Sequence, residues 1–306
     1  MLRQFFSSLS TSRAIRAAAE HRALGLRVSR RFVAGTTMDD AVAAARALAA
    51  QGLTVTVDHL GENVTNRDEA RASAGTYHDL LDAIHTSGLP AHVSCKLTHL
   101  GFDVDSELCH EMVRGLAEHA ARLHGFVRVD MEGSAYTDRT LRLVREIHAG
   151  LDRRDAIGTV IQAYLRRSRA DLEQLCAAGI RVRLVKGAYQ EPAEVAYPAK
   201  ADVDASFVAL MRRLLQSGGY HAIATHDERM IATTMEFARA ERVPAEAFEF
   251  QMLYGIRRDL QQMLVRAGWR MRVYLPFGAE WYPYFMRRLA ERPANVWFIA
   301  KNLLRK

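Results

Sequence analysis

The chain alternates eight times between a short β-rich run and a longer stretch of helical periodicity, which leaves few folds open to it. The runs are TVTVDHL (54 to 60), HVSCKL (92 to 97), FVRVDME (126 to 132) and IGTVIQAY (157 to 164), then RVRLVKG (181 to 187), HAIATH (221 to 226), FEFQML (248 to 253) and MRVYLPFG (271 to 278). Helical patterns between them stop at Gly88, Gly125 and Gly179, where a residue without Cβ can turn left-handed and end a helix. Strands separated by helices pair in parallel through crossovers, in an open doubly wound sheet or a closed barrel. A count of eight favours the closed (β/α)8 barrel, an α/β fold of the TIM type, and 306 residues suit one such domain. A further helix is expected at 38 to 51. Residues 1–50 read as an N-terminal helical arm and 51–306 as the barrel.

Parallel strands buried on both faces should be almost wholly apolar. These carry polar residues towards their carboxyl ends: Lys96, Asp130, Glu132, Gln162, Arg183, Lys186, His226, Gln251 and Tyr274. Barrel sites are built at that rim, so the set marks a candidate site, although strands must also meet polar loops somewhere.

Composition narrows the chemistry. A net charge of +7 could suit a polyanion, but the arginines are interspersed with acids and no helix-turn-helix, zinc-finger or RNP pattern accompanies them. No nucleic-acid partner is expected, and at most weak attraction to an anionic membrane surface. No apolar run approaches the roughly 18 residues that span a bilayer. Three cysteines, Cys95, Cys109 and Cys176, without a C-x-x-C suit a reducing, cytoplasmic compartment. The Arg/Ser-rich opening stretch has the composition of a transit peptide or of a helical arm, and its uninterrupted run into the next element favours the arm. Neither G-x-G-x-x-G nor H-E-x-x-H occurs, so no Rossmann dinucleotide site and no catalytic metal are expected.

The final helical pattern, WYPYFMRRLAERP, places Tyr284, Arg287, Arg288 and Glu291 within an arc of about 100°. Periodicity alone fits an amphipathic helix with a wet face. Two adjacent guanidiniums aimed at one point would instead match the planar geometry of a carboxylate.

The run Tyr284-x-x-Arg287-Arg288-x-x-Glu291-x-Pro293 resembles the signature of the proline dehydrogenase family. SCKLTHLG (94 to 101), RVDMEGS (128 to 134), VIQAYLRRS (160 to 168), RLVKGAY (183 to 189), ATHDERMI (224 to 231), FEFQMLYG (248 to 255) and RVYLPFG (272 to 278) resemble further family motifs, in the family's order, over a span from about residue 25 to the end. The resemblance implies a distorted barrel with the last helix over its mouth. It also implies FAD-dependent oxidation of L-proline to Δ1-pyrroline-5-carboxylate by hydride transfer to flavin N5.

By the same resemblance Lys96, Arg287 and Arg288 hold the substrate carboxylate, with Glu291 supporting the arginines. Asp130 organises the cationic cluster and fixes Tyr274, which covers the proline ring. Arg183 reaches the flavin near N5, where a cation stabilises the negative charge of the reduced ring. Gln162 meets the isoalloxazine edge; Met131, Lys186, Gly187, Ala188, Thr225 and His226 make further flavin contacts, Lys186 adding charge near phosphate. The family implies a membrane quinone as electron acceptor. A DNA-binding segment and an aldehyde dehydrogenase domain, which some bacterial relatives carry, are not expected here, so a separate pyrroline-5-carboxylate dehydrogenase would take the product. Two rivals stand beside this reading: another flavin barrel such as a methylenetetrahydrofolate reductase, which gives no reason for the double arginine, and a non-catalytic proline sensor.

Overall fold

The computed structural model describes residues 30–284 and 286. Helix α1 (Met38–Ala49) precedes the first strand, β1 (Thr54–His59). Then follow α2 (Arg67–Ser87), β2 (Ala91–Cys95), α3 (Ser106–Arg122), β3 (Val127–Val129), α4 (Thr137–Gly150) and β4 (Ile157–Gln162). The second half holds α5 (Ser168–Ala177), β5 (Arg181–Val185), α6 (Lys200–Gln216), β6 (His221–Ala224), α7 (Glu228–Ala240), β7 (Phe248–Leu253), α8 (Arg258–Arg266) and β8 (Met271–Phe277). The strands form a closed barrel in sequence order, and β8 returns to β1 in parallel register from Thr54↔Arg272 to His59↔Phe277. The expected TIM-type barrel is therefore the fold, and α1 packs across its β1–β8 seam.

Local chemistry sets the element ends. Asn66 caps α2 by accepting the Glu69 N–H at 2.9 Å, and Gly88 ends that helix at φ +62°. Gly179 takes a left-handed φ of +73° after α5. Gly125 does not play the expected part: His124 adopts the left-handed conformation at φ +54°, and the Gly125 N–H returns to the Ala120 carbonyl at 2.7 Å. Several strands are shorter than their β-rich runs, because residues such as Asp130 to Glu132 and Thr225 to His226 already belong to the loops above the barrel.

Strand alternation sends every second residue into the lumen. Arg183 on β5 bonds Gln251 on β7, and Tyr274 on β8 reaches Asp130 just after β3. These strands are not neighbours, so the bonds cross the barrel. The polar residues are thus not confined to the rim: Arg183, Gln251 and Tyr274 are mid-strand, and Glu249 with Arg272 lies deeper still, paired at 2.8 Å and both buried. Buried charge survives there because each carboxylate meets a cation and further donors. Outward residues, among them Val55, Val57, Val93, Val127 and Val129, join Tyr77, Leu80, Leu116, Val144, Leu172 and Phe207 of the helices in one continuous core.

Two buried histidines make this fold acid-sensitive. His221 Nδ1 accepts the Val182 N–H at 3.1 Å and Nε2 meets Ser217 Oγ at 2.8 Å. Burial first, then the guanidiniums of Arg128, Arg181 and Arg213, push its pKa down to about 3. His99 falls to about 3 through burial, His59 and Lys96. Each site contributes stability that is complete above the unfolded pKa of about 6.5 and is lost as pH falls towards 3. Asp58, raised by burial to about 6, offsets part of this loss between about pH 6 and 4. The urea midpoint is expected to be clearly lower at pH 4.5 than at pH 7.5, with a shallower drop in His221→Gln; equal slopes in the two proteins would contradict the assignment.

Candidate active site

Above the carboxyl ends of the strands lies a cavity of about 710 Å³. Its wall includes Lys96, Asp130, Met131, Gln162, Arg183, Lys186, Gly187, Ala188, Thr225, His226 and Tyr274. Closure of the barrel thus brings together residues 178 positions apart in sequence (96 to 274). Arg287, Arg288 and Glu291 lie outside the described residues.

Asp130 is the hub. Its Oδ1 accepts from Arg183 Nη1 at 2.6 Å and from Ser94 Oγ at 2.8 Å, while Oδ2 accepts from the Tyr274 hydroxyl at 2.8 Å. Arg183 also donates from Nε to Gln251 Oε1 at 2.5 Å, and its guanidinium stacks 5.1 Å from the Tyr274 ring centroid. The third nitrogen, Nη2, is buried and has no partner among the described residues. A buried unpaired donor is costly, and Arg183 lines the cavity, so an acceptor-bearing group bound against this residue would be favoured. Burial, then the negative charge of Asp130, holds the Tyr274 phenol well above its usual pKa, and its proton stays in place to be donated.

Lys96 differs from expectation. Its ammonium pairs with Asp58, at 3.3 and 3.2 Å from the two carboxylate oxygens, and not with Asp130. Asp130 is already engaged by three donors, whereas the neighbouring strand offers the Asp58 carboxylate directly. Lys186 differs too: it bonds Asp204 and Asp227, the latter at 2.7 Å, and Lys200 joins the same two carboxylates. Two ammoniums and two carboxylates cancel, so Lys186 brings much less net positive charge to the cavity than the sequence suggests. Glu132, one of the strand-end polar residues, does not line the cavity; it accepts from the Thr98 N–H at 3.1 Å and hydroxyl at 2.7 Å and fixes the turn after β2.

The other wall residues are held by the backbone. Gln162 Nε2 donates to the Glu132 carbonyl at 2.8 Å. His226 Nε2 accepts the Leu253 N–H at 3.0 Å, which makes it a neutral imidazole with its proton on Nδ1. Thr225 Oγ1 accepts the Asp227 N–H at 3.1 Å and shapes the turn after β6. Gly187 has φ +110°, and a Cβ there would sit 2.2 Å from the Tyr164 ring, so the cavity wall needs glycine at that point. Asp58, Ser94, Glu249, Asp204 and Asp227 were not singled out by strand-end reading. Asp58, Ser94 and Glu249 share strand parity with Lys96, Gln251 and their like, and period-two reading of each strand through a closed barrel would have found them.

The proline dehydrogenase family model matches residues 41–301. Proline dehydrogenase 1 of Bacillus subtilis is 41% identical over 307 residues, with all of both chains covered. Proline dehydrogenase of Deinococcus radiodurans is 41% identical over 281 residues, covering 91% of this chain and 90% of that protein. Among solved structures, proline utilization A from Bdellovibrio bacteriovorus inactivated by N-propargylglycine superposes with a TM-score of 0.82 at 28% identity, over 87% of this chain and 33% of that one. With the barrel, the mouth cavity and these full-length similarities in hand, the chain belongs to the proline dehydrogenase family.

Proposed function

We propose that this chain oxidises L-proline to Δ1-pyrroline-5-carboxylate at the mouth cavity with FAD bound, the first step of proline catabolism. The observation that carries the reading is the Asp130 hub, which fixes Arg183 and Tyr274 in the cavity wall and leaves the Arg183 Nη2 buried without a partner among the described residues. The cavity volume falls in the usual range for small-molecule and cofactor sites, about 300 to 1,000 Å³. Bound FAD would supply the two-electron acceptor for hydride leaving the ring carbon beside the proline nitrogen.

The protein's own part is placement and charge. Arg183 offers its guanidinium charge where negative charge develops, and Asp130 holds that fork still. Tyr274, its hydroxyl tied to Asp130, gives a fixed aromatic wall against which an apolar ring can pack and exclude water. Lys96 supplies a cation for the substrate carboxylate, with Arg287 and Arg288 as its forked partners and Glu291 balancing them. Gln162, Met131, Thr225, His226 and the Lys186-Gly187-Ala188 turn line the remaining wall as flavin contacts. In our reading the electrons then pass to a membrane quinone, reached by peripheral contact from the cytoplasm, and a separate pyrroline-5-carboxylate dehydrogenase consumes the product. Among the described residues no helix is long and apolar enough to cross a membrane.

The test is optical. Purified protein is expected to be yellow, and anaerobic L-proline is expected to bleach the flavin band while D-proline leaves it. A colourless preparation that FAD cannot reconstitute, or a band indifferent to L-proline, would overturn the proposal.

A further inference from the structure

Asp58 is fully buried on β1 and does not itself line the cavity, yet it accepts with both oxygens from Lys96, which does. Above the deeper Glu249–Arg272 pair, two lumen carboxylates, Asp130 and Asp58, hold different cations of the cavity wall. Asp130 takes Arg183, Ser94 and Tyr274, while Asp58 takes Lys96. The register places Asp58 opposite Ser94, so the Lys96 stem must lean from β2 towards β1 to make this pair. An ammonium on a four-carbon stem has no geometry of its own; its position is set by whatever holds it.

We propose that Asp58 is a positioning residue for the reaction: it fixes the Lys96 ammonium at the height where the substrate carboxylate is received, and keeps it from collapsing onto Asp130. This rests on the reading of the cavity as a proline site. Net charge and positioning predict opposite signs, which makes the inference sharp. Removing a buried negative charge should by itself favour an incoming anion; losing the anchor of the lysine should weaken its binding. Among the described residues, the charged and titratable groups facing Asp58 are Lys96 from β2, Asp130 after β3 and Tyr274 from β8, with Tyr77 and Cys95 near by. Burial outweighs the attraction of Lys96 and holds the Asp58 carboxyl at about 6.

The experiment uses the FAD-loaded enzyme and tetrahydrofuran-2-carboxylate, the ring-oxygen counterpart of proline, whose dissociation constant is read from the flavin spectrum. Asp58→Asn is expected to weaken binding about tenfold or more and to raise KM for proline more than it lowers kcat. In a Lys96→Met background the same change is expected to move the constant by less than about twofold, since a residue that acts through another has nothing left to position. Wild-type affinity is expected to fall as pH drops from about 8 to 5 with a midpoint near 6, a profile that Lys96→Met flattens; this arm needs no Asp58 variant to fold. Unchanged or tighter binding in Asp58→Asn, an equal loss in the Lys96→Met background, or a flat wild-type profile would overturn the inference. An enzyme that oxidises proline but shows any of these results loses only the role of Asp58; one that neither oxidises proline nor binds the analogue loses the site itself.

Discussion

Arg183→Met is expected to lower kcat about 10² to 10³-fold, the usual cost of removing one preorganised donor at a centre where negative charge develops. The arginine is held in a single orientation by Asp130 and Gln251, and a methionine keeps its bulk without its fork. The flavin reduction potential is expected to fall, by about 30 mV or more if the lost stabilisation of the reduced ring reaches about 1.4 kcal/mol for two electrons. Stability should suffer as well. Asp130 would remain buried with Ser94 and Tyr274 as donors but without its counter-ion, and breaking a buried pair costs about 3 to 5 kcal/mol. Steady-state kinetics, spectroelectrochemistry and a denaturant titration check the three parts separately. Wild-type potential in a variant that has lost its activity would remove Arg183 from the flavin and leave it a structural role only.

Gly187→Ala is expected to be the most disruptive single-methyl change at the cavity. The residue sits at φ +110°, and its Cβ would lie 2.2 to 2.6 Å from three atoms of the Tyr164 ring. That ring is buried, and the segments around it are tied down: Tyr164 N–H donates to the Lys186 carbonyl at 2.9 Å and the Tyr197 N–H to the Tyr164 carbonyl at 2.8 Å. Backbone strain of about 1 to 3 kcal/mol adds to overpacking of similar size. If the wall yields and the fold holds, FAD affinity should drop at least about tenfold, since each 1.4 kcal/mol is a factor of ten. Equilibrium FAD titration of the apoprotein checks this. Wild-type affinity together with wild-type thermal stability would mean that the turn has room the geometry denies. Gly187→Ala with Tyr164→Ala should recover only part of the loss, because the positive φ stays.

How much of the site could be read in advance depended on where each residue stood. Lys96, Gln162 and Lys186 are polar residues at the ends of otherwise apolar runs, and their anomaly is visible in a linear sequence. Asp58 is as anomalous in TVTVDHL, and Glu249 in FEFQML, but each reads as a loop-proximal acid until the barrel closes. Partnerships were harder. That Lys96 would choose Asp58 over Asp130, or that Asp204 and Asp227 would neutralise Lys186, depends on lateral distances of a few ångströms between strands and helices far apart in sequence. His124 in place of Gly125 as the left-handed residue was hidden for a similar reason: tertiary packing overrode the local preference for glycine.

The sequence alone determined the eightfold alternation, hence the parallel barrel, and through its ordered motifs the family. Both are carried by local signals, namely hydrophobic period and short runs of residue types. Only the tertiary structure decided which charges meet. Closing β8 onto β1 turns period-two alternation into a lumen, and inside a lumen a side chain's partner is set by height and angle across the barrel, two coordinates that no one-dimensional spacing contains.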